Sequence, residues 1–309
     1  MRSLLARIKS GPIVVADGAT GSLLMEHGLE PGAAPESLNL TRAGVLRDVA
    51  TQYVEAGAEI IHTNTFGASP LKLAGHGLEA QTEEINHAAV LAVRESLETL
   101  TPSETPATPS ASPATGDIYI SGSVGPTGGT LVPYGNTEPD EVREGFERQI
   151  ASLVAAGVDA ITIETMIDLA EAKLAIRAAR NVSCSIPIMA TMTFDILPRG
   201  VYTIMGNDVK TCVAELLDEG ANVVGSNCGN GTESMLAIAR EFRTVTDAPL
   251  LFQPNAGLPR IEDGITVFDE TPEQMASQGT AFADLGVAVL GGCCGTTPAH
   301  VRAIRSALS

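Results

Sequence analysis

The chain has no tryptophan, and aromatic residues make up only 4% of its 309 positions. A cage of several rings around a quaternary ammonium group would have only Tyr and Phe to draw on. Basic residues are also scarce. Nineteen Lys and Arg face 37 Asp and Glu, for a formal charge of −18. Such a surface repels phosphate backbones and argues against a nucleic-acid role, while favouring solubility, in a salty milieu among others. No apolar run approaches the length of a membrane span. The opening residues MRSLLARIKSGPIVVADG lack a sustained apolar region ending in a small-residue cleavage site, so no signal peptide is expected. Cysteine is sparse and odd in number: Cys184, Cys212, Cys228, Cys293 and Cys294. That set is no disulfide framework, which points to a reducing cytoplasm, where clustered cysteines are metal-binding or catalytic.

What the chain does have is apolar content of 44%, enough for a large core. Short β-branched runs recur near residues 12–16, 59–63, 117–121, 159–164, 187–193, 222–226, 249–253 and 287–291. Between them lie stretches of helical periodicity such as AGVLRDVATQYVEAG and DLAEAKLAIRAARN. Several end in Ala-Gly, Glu-Gly or Leu-Gly just before the next strand, as suits a left-handed helix cap. Eight strand-then-helix units predict a single (β/α)8 TIM barrel spanning residues 1–309. The alternative, two Rossmann-like halves, lacks support because no strand is followed by GxGxxG. Residues 101–116, TPSETPATPSASPATG, read as a low-complexity surface loop. Between a helix and the next strand, it falls on the N-terminal face, away from the usual side for chemistry.

Catalytic groups of such barrels sit at the C-terminal ends of the strands. Polar and glycine-rich residues collect there: Asp17 in ADGATG, Asn64 in HTNTFGAS, Glu164 in TIETM, Asn227 and Cys228 in GSNCGNG, Asn255 in FQPNAGLP, and Cys293 and Cys294 in LGGCCG. Three of the five cysteines therefore share one face. The adjacent pair alone is compatible with two buried small side chains or a vicinal disulfide. With Cys228 on a strand of the same parity, the three thiolates can make three corners of a tetrahedral zinc site and leave the fourth open. Neighbouring residues of a regular strand point to opposite faces, so Cys293 and Cys294 can share a metal only where the chain leaves strand geometry; Gly291, Gly292 and Gly295 permit that. Cys184 and Cys212 read as ordinary buried thiols. His62 reads as a satisfied structural histidine rather than a ligand, and His300 belongs to the last helix.

A zinc ion held by three thiolates is a poor activator of water. It suits binding a further thiol and keeping it as thiolate near neutral pH. That chemistry points to transfer of an alkyl group to a thiol substrate.

The segments VADGATGSLL, HTNTFGAS, GSVGPTG, IETM, GSNCGNG, PNAGLP and GGCCGTTPAHVRAI together resemble the homocysteine S-methyltransferase family, over residues 12 to 306. Among members, PNAGLP and IET followed by DLAEAK look most like the homocysteine-binding module of cobalamin-dependent methionine synthase. The resemblance implies that Cys228, Cys293 and Cys294 bind zinc, with Asn255 as a fourth ligand when substrate is absent. It also implies a substrate site of Asp17, Gly18, Thr20, Glu164 and Asn227, in which Glu164 meets the homocysteine ammonium. A carboxylate suits an ammonium, and the N–H groups of a Gly-rich turn suit a carboxylate. Nothing in the sequence resembles a second barrel or a cobalamin-binding Asp-x-His-x-x-Gly. The expected methyl donor is therefore methylcobalamin on a separate corrinoid protein, charged ultimately from methyltetrahydrofolate. S-Methylmethionine or betaine used directly is the alternative. A non-catalytic zinc or thiol-redox protein is the reading from another class; it gives Glu164 no special role.

Overall fold

A computed structural model describes residues 2–30, 32–100, 117–262 and 265–309. The low-complexity stretch at 101–116 lies outside the described residues. Eight parallel strands form the sheet: β1 (Val14–Val15), β2 (Ile60–His62), β3 (Tyr119–Val124), β4 (Ala160–Met166), β5 (Ile188–Met192), β6 (Val223–Asn227), β7 (Leu250–Gln253) and β8 (Val289–Leu290). Each pairs with its sequence neighbour, and β8 pairs with β1. The ring closes between β1 and β2 through one bridge, Ala16 to Ile60. Hydrogen bonds from Glu59 N–H to Val15 O (2.7 Å) and from Asp17 N–H to Ile60 O (3.0 Å) flank it. The fold is the predicted TIM barrel, and all eight expected strands are present.

The helices between strands form where the sequence offers an apolar stripe and a stop. In Leu169–Val182, Asp168 accepts a hydrogen bond from Ala170 N–H at the start, and Leu169, Ala172, Ala175, Ile176 and Ala179 face the sheet. Four other helices end at Gly57, Gly157, Gly220 and Gly286, all with positive φ. These are the Ala-Gly, Glu-Gly and Leu-Gly pairs read from the sequence.

One core lies between strands and helices, and a second fills the barrel. Its floor is Val14, Ile60, Tyr119, Ala160, Met189, Val223, Leu251 and Val289, plugged from below by Leu4 and Ile8 of the N-terminal helix Leu4–Lys9. Burying those two side chains stabilises the closed floor by roughly 1.5–3 kcal/mol each. Two residues further along the strands the inward positions turn polar: His62 follows Ile60, Ser121 follows Tyr119, Thr162 follows Ala160 and Thr191 follows Met189. The period of two carries one strand face from apolar floor to polar mouth.

Two antiparallel hairpins stand on this mouth, Asp195–Leu197 with Gly200–Tyr202 after β5, and Arg260–Glu262 with Ile265–Val267 after β7. The sequence reading did not anticipate them. A signal was available: Asp263-Gly264 lies between alternating residues in RIEDGITV, a strong two-residue hairpin pattern.

Candidate functional site

Loops after β6, β7 and β8 bring three cysteines together at the C-terminal mouth. The Sγ atoms of Cys228, Cys293 and Cys294 lie within 4.8 Å of one another, and those of Cys228 and Cys294 are 3.8 Å apart. The loop after β7 is the template. Gln253 O accepts from Cys228 N–H (3.1 Å), Pro254 O from Cys293 N–H (2.8 Å), and Ala256 N–H donates to Cys294 O (3.0 Å). Cys228 itself takes φ of 61°, a left-handed value rare for a side-chain-bearing residue.

The glycines around the pair divide their work. Only Gly295 has positive φ (79°). Gly291 and Gly292 are needed for close approach: a Cβ there would lie 2.8 Å from Asp17 O and 2.4 Å from Thr296 Oγ1. The chain then turns, with Thr296 Oγ1 donating to Cys293 O at 2.7 Å, and both thiols reach the same space as Cys228.

The three thiols titrate as a group. Hydrogen bonds from the Cys293 and Cys294 thiols push Cys228 down to about 3, against an opposing effect of burial. Their own protons are then held more tightly, with Cys294 pushed up to about 11 and Cys293 raised well above its usual value by the Cys228 thiolate. A divalent cation would replace the two remaining protons. Asn255 sits beside it, 3% exposed, with its N–H bonded to Asn230 O at 2.8 Å. Its buried Oδ1 has no partner among the described residues. Three soft sulfurs and one orphaned amide oxygen are a donor set that fits zinc.

Across the mouth, Asp17 and His62 form a buried pair. His62 Nδ1 lies 2.6 Å from Asp17 Oδ1, and its backbone N–H donates to Asp17 Oδ2 at 2.8 Å. Its Nε2 lies 3.1 Å from Thr162 Oγ1, itself 2.7 Å from Ser121 Oγ. The histidine is satisfied on both nitrogens, as expected, yet it is also charged. Burial alone would lower its pKa; the Asp17 carboxylate and the nearby Glu164 charge outweigh that and hold it at about 9. Glu164 is pushed upward by burial, opposed by His62 and by Ser123 Oγ, which donates to Glu164 Oε1 at 2.5 Å.

Of the substrate residues expected from sequence, Asp17, Glu164 and Asn227 converge on the mouth, and Gly18 and Thr20 begin the turn and helix after β1. Gly18 has no room for a side chain, because a Cβ would meet Thr296 Oγ1 at 2.5 Å. Asp17 turns both carboxylate oxygens to His62, so within this structure it positions the imidazole. Asn227 is fully buried and engaged with protein groups. Sequence reasoning undervalued His62, whose place at the end of β2 was the available signal. Cys212 is buried, with its thiol pushed up to about 12 by burial, but Cys184 is exposed, correcting the expectation for it. It follows the end of a helix, in a segment that turns outward before β5. His300 lies in the first turn of the last helix, its Nδ1 accepting from Thr297 N–H at 3.1 Å. No described helix is long and apolar enough to cross a membrane.

A family model described as homocysteine S-methyltransferase matches residues 14–308. The chain belongs to the homocysteine S-methyltransferase family. It is 29% identical to the methionine synthases of Mycobacterium leprae, over 96% of this chain, and Mycobacterium tuberculosis, over 99%. It spans about a quarter of the length of these curated relatives, 24% and 25%. The metallated form of the homocysteine methyltransferase MmuM from Escherichia coli has the same fold, with a TM-score of 0.80, 22% identity, and coverage of 97% of this chain and 98% of that one. The carboxyl transferase domain of Rhizobium etli pyruvate carboxylase is a more distant relative in fold, with a TM-score of 0.54 and 11% identity.

Proposed function

We propose that this member of the homocysteine S-methyltransferase family methylates homocysteine to methionine at a zinc-dependent site. The observation that carries the reading is the cluster of Cys228, Cys293 and Cys294 beside the unpartnered Asn255 Oδ1, in the same mouth as Glu164. When bound there, zinc supplies a cation that lowers the pKa of an incoming thiol and keeps it nucleophilic near neutral pH. The three cysteines would hold it, and Asn255 would yield its place to the substrate. Glu164 receives the ammonium, oriented by Ser123. Asp17 takes His62 Nδ1 at 2.6 Å, and the Glu164 carboxyl, bonded by Ser123 and Asn227, is left as the group that meets the ammonium. The amide-rich turn at Gly18 and Thr20 receives the carboxylate. The homocysteine thiolate then forms the S–CH3 bond as the bond from that carbon to the donor breaks, the electron pair leaving with the donor. No general base is needed at the methyl itself.

The donor in this reading is methylcobalamin on a separate corrinoid protein, recharged from methyltetrahydrofolate. Two observations support it. The 29% identical relatives are methionine synthases several times longer than this chain. The mouth is also rimmed by exposed apolar side chains, with Tyr134, Ile204, Leu258 and Ile261 at least 60% exposed, a surface suited to a large partner. The second reading, S-methylmethionine or betaine used directly, keeps the same thiol activation at the cysteine cluster. The cytoplasm, where thiols stay reduced, is the proposed location.

The test is zinc stoichiometry together with methionine formation from homocysteine, offered methylcobalamin, S-methylmethionine, betaine or methyltetrahydrofolate. One zinc per chain and turnover with methylcobalamin are expected. Turnover with a sulfonium or betaine alone would overturn the donor. Bound zinc with neither methionine formation nor homocysteine affinity would overturn the enzyme reading in favour of a zinc or thiol-redox protein.

A further inference from the structure

The end of β4 is irregular. Its register with β5 shifts between Ile163 and Met166. Within that shift Thr165 has φ of 60°. A β-branched residue there is strained and persists only where its surroundings hold it. Asn227 holds it. The Asn227 Oδ1 accepts from Thr165 N–H at 2.7 Å, and Asn227 Nδ2 donates to Thr165 Oγ1 at 2.7 Å. The same Oδ1 accepts from Thr191 Oγ1 at 2.7 Å, which fixes the amide from β5 as well.

Asn227 also touches both functional halves of the mouth. Its Nδ2 reaches Glu164 Oε2 at 3.4 Å and Cys293 Sγ at 3.8 Å. The residue after it is Cys228, in its own left-handed conformation. One fully buried side chain therefore sets the turn that aims the carboxylate and stands next to the thiol cluster.

We propose that Asn227, clamping Thr165, is a positioning residue that fixes the spacing between the cysteine cluster and Glu164, and thereby selects aminothiols by the number of carbons between sulfur and nitrogen. This rests on the aminothiol reading above. Homocysteine carries one methylene more than cysteine, and a pocket of fixed span separates such a pair by about 10–200-fold. The clamp supplies that fixed span. Without it Thr165 relaxes out of the left-handed region, Glu164 swings with it, and a range of spacings is admitted.

The experiment measures, by calorimetry, the affinity of the zinc-loaded chain for homocysteine and for cysteine, in wild type, Asn227→Ala and Thr165→Val. A second readout needs no zinc: hydrogen exchange of the Thr165 amide, which the Asn227 carbonyl protects. In Asn227→Ala the preference for homocysteine should fall about tenfold, the scale of one buried polar partner lost, with zinc still at one per chain and the Thr165 amide deprotected. Thr165→Val, which removes only the hydroxyl partner, should move the preference in the same direction by less. Adding Thr165→Gly to Asn227→Ala should restore part of it, because glycine takes positive φ without a clamp. Should Asn227→Ala not fold, Thr165→Val decides. Folded, zinc-replete variants that weaken both thiols alike, leaving the preference at its wild-type value, overturn the proposal. Wild-type protein that binds neither thiol overturns instead the aminothiol reading on which it stands, and the amide exchange then still reports whether the clamp exists.

Discussion

The two ends of the barrel are built on opposite plans. At the N-terminal end, arginines cap carbonyls. Arg94 donates to Ala156 O and Gly157 O, Arg180 to Gly220 O and Ile186 O, and Arg243 to Leu285 O and Gly286 O, all between 2.7 and 3.1 Å. Arg305 packs its methylenes on Gly57 and donates to the buried Glu59, which also takes two bonds from Arg7. At the C-terminal end the pattern reverses. Thr165 and Cys228, the two non-glycine residues with positive φ among those described, are both there. So are buried oxygens of Ser226, Gln253 and Asn255 without partners among the described residues. One end is saturated and relaxed; the other is left strained and unsaturated where a ligand can complete it. Stability and chemistry are thus separated along the strand axis, and a substitution should affect one and not the other.

The largest effect that would test this separation is at the cysteines. Cys228→Ala or Cys294→Ala should abolish most zinc binding and cut methyl transfer by more than about 100-fold, since even residues one step removed from a metal cost 10–100-fold. Metal analysis and turnover check it, and full zinc in both variants would contradict the site. Next comes the far end. Arg180→Ala leaves the carbonyls of Gly220 and Ile186 without this donor, while Asn222 Oδ1 keeps the Ile188 N–H, and should destabilise the fold by roughly 2–3 kcal/mol. Its KM should not move; a changed KM with intact stability would break the division. Smaller again is Glu164→Gln, expected to weaken homocysteine binding about tenfold with zinc retained, as read by titration.

The most gradual effect is a pH slope. His62 is held at about 9, above its ordinary 6.5. Its contribution is therefore fully present below about 6.5 and is lost as pH rises through about 9. Stability should decline across that window no faster than about 1.4 kcal/mol per pH unit, the slope of one proton. Denaturant titrations of wild type and His62→Gln across pH 6–10 measure it: the variant should lack the slope, and parallel curves would refute the charged assignment.

Much of this was legible in the sequence, for reasons that differ by residue. The strands announced themselves because each is buried on both faces, which demands β-branched runs such as AITI in β4. The cysteine cluster was legible because topology alone puts the ends of β6 and β8 at one mouth. The hairpins on the mouth were missed because their strands are only three residues long each, too short for a clear alternation. The roles of His62 and Asn227 were hidden for a deeper reason. Both act through pairings with distant residues, Asp17 across 45 positions and Thr165 across 62, and no local pattern encodes such partners. Cys184 was misjudged because a cysteine in a polar turn carries the same letter as one in a core.

The arginine caps carry one more consequence. Arg94, Arg180, Arg243 and Arg305 each reach from the helix that follows β2, β4, β6 or β8 to the glycine ending the next helix of the ring, and the last of these links helix Pro298–Ala307 to helix Ala43–Glu55. The ring thus has a hidden fourfold rhythm, with the last stitch between the two ends of the chain made like the rest. To such a ring the point where the polypeptide is cut is of little account. A circularly permuted chain that began with β3 and ended with helix Thr82–Leu100 would keep every stitch, and all three cysteines with them.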